Sequence, residues 1–180
     1  MEVKNLQTQK GFTLVEIAIV LVIIGLLLGG VLKGQELIEN AKIKSLTSQF
    51  DNVTAAYYAF NDRKSDFPDT ANDDQFWFGL KEEGFISGTL GSSTDSDGPV
   101  HGYDGTFYVE IGAGTTLKDG KAYICASNVP NDVGQSIDTK SDDGVVDSGT
   151  YRGVATADPV VDAAAAVYAT EGNIGLCREL

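Results

Sequence analysis

Imidazole, thiol and cationic side chains are scarce in this chain. Of its 180 residues one is His and two are Cys, and 13 Lys plus Arg face 26 Asp plus Glu. A single His excludes a multi-His metal centre, and two Cys cannot build a zinc site of the four-Cys type. There is no Gly-rich phosphate loop, no Ser elbow and no His with a recognisable acid partner. The sequence therefore offers no catalytic set and predicts neither an enzyme nor a cofactor. Pro is rare, at 4 residues, and none falls between 12 and 67. Apolar residues still reach 42%, which excludes a disordered acidic tail and a collagen-like repeat. The length fits one domain and leaves no room for a large two-domain enzyme.

The shortage of positive charge is local. Residues 1–60 carry five Lys and five acids, whereas residues 61–180 carry 8 basic and 21 acidic groups. The whole excess of −13 sits on the C-terminal two-thirds. Such a surface repels phosphate, and no basic patch offsets it, so nucleic acid is not an expected partner. Solubility accounts for the charge.

What the chain does have is one long apolar run. Phe12–Leu32 reads FTLVEIAIVLVIIGLLLGGVL, 21 residues with Glu16 as the one charge, and about 20 apolar residues match the hydrocarbon thickness of a bilayer. A secretory signal would have a shorter core ending at a small-residue cleavage site. Here the run continues into a segment that still reads as helix. Lys4 and Lys10 precede it, which places residues 1–11 on the cytoplasmic side and the rest outside. Glu16 is the anomaly. An acid on a lipid-facing helix costs on the order of 3 kcal/mol at the bilayer centre and less near an end. Either Glu16 snorkels to the headgroups or it has a partner.

Lys10-Gly11-Phe12-Thr13-Leu14-Val15-Glu16, followed by an apolar span, resembles the type III signal of the type IV pilin superfamily, which includes pilins of type IV pili and pseudopilins of type II secretion. The resemblance is strongest over residues 10–50. It implies that a prepilin peptidase cuts after Gly11 and N-methylates Phe12. It also implies that Glu16 pairs with the N-terminal amine of a neighbouring subunit during assembly. An ammonium and a carboxylate offset each other's desolvation in lipid only in good geometry, so the pair works as a register device more than as a source of stability. Many pilins carry a kinking Pro in the span. This chain has Gly25, Gly29, Gly30 and Gly34 instead, at up to about 1 kcal/mol each against Ala. They mark either close helix packing or a segment that can stretch.

Beyond Lys33, Ile43, Leu46, Phe50, Val53, Tyr57 and Phe60 recur at helical spacing. The helix is expected to run on for about 50 residues, on the order of 75 Å, with Asn61-Asp62 as its first plausible stop. Asp73-Asp74 caps a short helix through Glu83, in which Trp77 reads as a core anchor rather than an aromatic ligand site. Residues 106–111 and 121–126 alternate as the two strands of an antiparallel hairpin, and 150–154 adds a third strand. Asp158-Pro159 opens either a short helix over 155–170 or a surface loop. The expected fold class is α+β, a long helix on a small antiparallel sheet. The pilin resemblance implies the same fold. The expected organisation is a leader over 1–11, a transmembrane and polymerisation helix over 12–33, an amphipathic helix over 34–62 and a head over 63–180.

An exported head meets an oxidising compartment, so Cys125 and Cys177 are read as a disulfide, and the resemblance adds that pilins commonly close a C-terminal loop this way. A reactive thiol is the competing reading, with His101 the one imidazole that could serve it. Asp138, Asp142, Asp143 and Asp147 invite a calcium test. Counted from Asp138, position three is Lys140 and position six is Asp143, so this is no EF-hand loop. Calcium in the C-terminal loops of some pseudopilins keeps these four as weak candidates against an acidic turn, with Asp95-Ser96-Asp97 weaker still. The functional expectation is a structural subunit of a bacterial type IV pilus-like filament, built by self-assembly from the inner membrane. Its partners would be prepilin peptidase, the inner-membrane assembly machinery, membrane lipid and copies of itself. A type II secretion pseudopilin and a minor pilin with an adhesive head are the alternatives, and the acidic head argues against DNA capture.

Overall fold

With no Pro to break it, the N-terminal half of the chain forms one helix, α1, over Leu14–Lys64. The computed structural model describes residues 11–88, 98–113, 116–155, 168 and 172–180. Residues 1–10 of the leader, Asp95–Asp97 and nearly all of the segment opened by Asp158-Pro159 lie outside the described residues. The chain divides into two compact units, Met1–Ala41 and Lys42–Leu180.

In the first unit α1 presents its apolar side chains outward. Its most apolar window has a mean hydropathy of 2.8 and no buried residue, long and apolar enough to cross a membrane. A Cβ added at Gly25, Gly29, Gly30 or Gly34 would meet nothing within 4 Å. Among the described residues no packing calls for these glycines.

In the second unit α1 becomes one-sided. Leu46, Phe50, Val53, Ala56 and Tyr57 are buried, and Ile43 and Phe60 pack partly against them. This is the stripe expected from the 3–4 spacing. The helix ends two residues beyond the expected stop. Ser65 takes a left-handed conformation (φ 58°) and its N–H donates to the Asn61 carbonyl at 2.7 Å. Arg63 and Lys64 in the last turn suit the negative end of the helix dipole.

Helix α2 covers Asp73–Glu82 and buries Phe76, Trp77 and Leu80. Its cap is Asn72, whose side chain accepts from the Gln75 N–H. The expected cap, Asp73, instead turns inward. The sheet has strands β1 (Phe107–Ile111), β2 (Ala122–Pro130), β3 (Tyr151–Val154) and β4 (Asn173–Glu179), in the order β1-β2-β4-β3. All pairings are antiparallel. β1 and β2 form the expected hairpin, with Gly120 supplying the positive φ of its turn. β3 is present but pairs only with β4, among the described residues, and β4 was not expected.

The strands alternate between two faces, except where the register of β2 shifts between Ala126 and Val129. Phe107, Val109, Ile124, Ala126, Tyr151, Ile174 and Leu176 share a core with the α1 stripe, and Phe50 meets Phe107 and Tyr151 edge-on at 5.0 and 5.6 Å. Tyr108, Tyr123, Cys125, Val154 and Cys177 form a second cluster around Leu117. Helix α3 (Asn131–Ser141) follows β2, was not expected, and takes in Asp138, the first residue of the expected acidic turn. Pro130 holds its N-cap position, and Val133 and Ile137, four apart, bury on one face. Trp77 is wholly buried, so it is a core anchor and not a ligand platform.

Candidate functional site

The residues around the predicted cleavage point form a built helix start. Gly11, Phe12 and Thr13 are non-helical and exposed, with Phe12 at 84%. Helix α1 opens at Leu14, which makes Thr13 its N-cap and Glu16 its third residue. The Glu16 N–H donates to Thr13 Oγ1 at 3.2 Å. The Thr13 N–H and the Thr13 hydroxyl each donate to Glu16 Oε2 at 2.8 Å. This is a capping box, the reciprocal pairing of an N-cap hydroxyl and an N3 carboxylate. The sequence reading treated Glu16 as an isolated acid and passed over Thr13. The Thr-x-x-Glu spacing was the signal that would have found it. Both of these bonds fall on Oε2, and among the described residues none reaches Oε1.

At the other end of the chain Cys125 of β2 and Cys177 of β4 stand opposite one another in register. They are joined by a disulfide across a sequence separation of 52, with Cα atoms 3.9 Å apart. Both are fully buried. Among the described residues no cysteine is free. His101 is also buried, and its place is in the core. Its Nε2 lies 2.8 Å from the Ser127 carbonyl, and Nδ1 accepts from the Tyr103 N–H at 3.4 Å. Burial holds this imidazole below its ordinary pKa.

The structure brings Asp138, Asp142 and Asp143 together, each with a carboxylate oxygen within 4.8 Å of the others, and leaves Asp147 out of that group. All three acids already serve the loop that follows α3. Buried Asp138 accepts from the Tyr168 hydroxyl at 2.7 Å and the Gly144 N–H at 3.2 Å. Asp142 accepts from the N–H groups of Thr150 and Tyr151. Asp143 accepts from Val145 N–H at 2.9 Å and Ser148 Oγ at 2.5 Å. Burial pushes the Asp138 carboxyl up, while the Ser148 hydroxyl first and the Val145 N–H second pull Asp143 down. The donor set matches a loop-closing turn.

Sequence reasoning also missed Asp73. Its Oδ1 accepts from Trp77 Nε1 at 2.9 Å and from the Val109 N–H at 2.6 Å, tying α2 to β1. Burial raises its pKa to about 6, against the two hydrogen bonds.

Residues 6–32 match the family model of the prokaryotic N-terminal methylation motif. No curated protein and no solved structure matches the chain. The matched motif is the type IV prepilin signal, and it covers the capped helix start and the apolar span together. The long helix and the four-stranded antiparallel sheet complete an α+β pilin fold. A membrane-length helix carrying the prepilin signal at its capped start, followed by such a head, supports a pilin-like or pseudopilin subunit of the type IV pilin superfamily.

Proposed function

We propose that the chain is a structural subunit of a bacterial type IV pilus-like filament, anchored in the inner membrane by residues 12–33 before assembly and then drawn into the filament. The observation that carries this reading is the prepilin motif placed on a helix whose apolar side chains have no cover among the described residues. Prepilin peptidase would remove residues 1–11 by cutting between Gly11 and Phe12. That bond lies in exposed, non-helical chain just ahead of the capped start, where backbone can enter an active site without unwinding a helix. The new Phe12 amine would then be methylated.

Glu16 has the geometry for its assembly role. Thr13 occupies Oε2, and a carboxylate offers about four acceptor positions on its two oxygens. A neighbour's Phe12 ammonium can therefore approach Oε1 without displacing the cap. The disulfide-closed C-terminal strand favours a pilus subunit over a secretion pseudopilin. Electron microscopy of cells producing this chain tests the reading. Abundant long filaments that disappear when the chain is deleted are the expected result. Short structures confined to the cell envelope would shift the assignment to a pseudopilin.

A further inference from the structure

The compact unit Lys42–Leu180 holds 22 carboxylates and 10 cationic side chains. The fold uses most of those cations internally. Arg63 and Lys64 converge on Glu83, Lys118 and Lys121 converge on Glu179, and Arg178 binds Asp51 at 2.6 Å. Half the cations are thus absorbed by three carboxylates. Arg152 is buried and donates to the carbonyls of Thr116, Asp147 and Gly149. Lys42 lies 5.3 Å from the centre of the Tyr103 ring. Exposed acids such as Asp62, Asp66, Asp132 and Asp147 remain on the surface. A second copy of this unit would therefore bring the same excess of carboxylates over cations, 22 against 10, to any contact between heads.

We infer that neighbouring heads of this chain repel one another, so that the filament is strengthened by added salt, in the opposite sense to an assembly held by ion pairs between subunits. The inference rests on the filament reading above. Its physical basis is screening. The Debye length shrinks from about 30 Å at 0.01 M to about 10 Å at 0.1 M, which moves head-to-head repulsion from long range to contact range. Attraction between apolar α1 helices has no such dependence on charge, so removing the repulsion lets it prevail. Ion pairs between subunits would instead be weakened by the same salt.

The test uses filaments of the full mature chain, sheared from cells and washed at about 0.01, 0.1 and 0.5 M sodium chloride, with the fraction that still sediments as filament measured in each. The sedimenting fraction should rise at least about two-fold across the series, and choline chloride should act like sodium chloride. The triple variant Asp62→Asn/Asp132→Asn/Asp147→Asn should hold together at lower salt than the wild type. Neutralising exposed carboxylates separates charge repulsion from any general effect of salt on apolar burial. A fraction that falls or stays level with salt, a triple variant with the wild-type salt response, or a requirement for divalent cation at constant ionic strength would each overturn the inference and leave the filament reading standing. No filaments at any salt, with mature subunit in the membrane, would remove both.

Discussion

A carboxylate near the start of a lipid-facing helix is tolerated only if its lone pairs are met, and in this chain Thr13 meets part of that demand. The capping box sharpens the expected outcome of mutating Glu16. Glu16→Leu removes a charge from lipid but also opens the box, leaving the Thr13 N–H without its acceptor. Loss of one helix cap costs about 1 kcal/mol, too little to stop a long apolar helix from inserting. Insertion and leader cleavage should therefore proceed, while sheared filament falls far below wild type beside a normal membrane pool of mature subunit. Wild-type filament yield with Glu16→Leu as the sole subunit would remove the pairing role and leave Glu16 as a cap alone. Asp73 supports a second prediction at this scale. Burial lifts its folded pKa to about 6, above the ordinary value of 3.8. Its contribution to stability is fully present below pH 3.8 and is lost as pH rises through about 6. Asp73→Asn keeps a carbonyl oxygen for Trp77 and Val109 and removes the charge. At pH 7 the variant should be more stable by on the order of 1 kcal/mol, discounted for the solvent screening of a partly exposed group. The gap should close by pH 4. Chemical denaturation of both proteins at pH 4 and pH 7 measures it, and equal differences at the two pH values would contradict the assignment. Comparing variant with wild type cancels Asp138, whose shift has the same sign, and Asp143 and Glu179, whose shifts are opposite.

At the scale of elements, the last strand in sequence lies inside the sheet. β4 pairs with β2 on one side and β3 on the other. β3 has no other strand partner among the described residues, so the edge of the sheet depends on β4 staying in place. The disulfide fastens β4 to β2 and closes a loop of about 50 residues, worth roughly 4 kcal/mol in the chain-entropy model. Cys177→Ser should therefore lower the stability of the head by about 2–5 kcal/mol and should expose β3 together with β4 to hydrogen exchange. Protection lost in β4 but kept in β3 would show that the two strands do not depend on one another. The same topology explains which elements were legible in the sequence. The α1 stripe and the β1–β2 hairpin declare themselves through long periodicity and local pairing. β4 contains Gly175 and finds its neighbours only through contacts distant in sequence. α3 offers only Val133 and Ile137 as an apolar pair and carries Gly134 and several β-branched or polar residues of low helix propensity. The acidic run after it read as a turn or a cation loop because composition cannot show that Tyr168, Gly144, Thr150 and Ser148 already supply its donors.

For the molecule as a whole, orientation, processing and oxidation form one sequence of events that a single mass can read. In the proposed reading Lys4 and Lys10 would hold the N-terminus on the cytoplasmic side, the apolar part of α1 would span, and Cys125 and Cys177 would then reach an oxidising compartment. The helix does not begin until Leu14, so Gly11 and Phe12 remain in open chain when the span is in place. Cleavage there would leave an amine on Phe12, the residue next to the capping box, close enough to the helix start for its charge to matter in assembly. An amine left further upstream would carry a polar tail into the apolar packing of the filament, and one cut further downstream would delete Glu16 itself. The mature protein purified from membranes without reductant should therefore have the intact mass of a chain beginning at Phe12, plus one methyl group and minus the two hydrogens of the disulfide. A mature species that retains Met1–Gly11, or one that begins beyond Val20, would contradict the proposed processing. A mass higher by two hydrogens would place both cysteines in the thiol form and contradict the disulfide independently of the cleavage site.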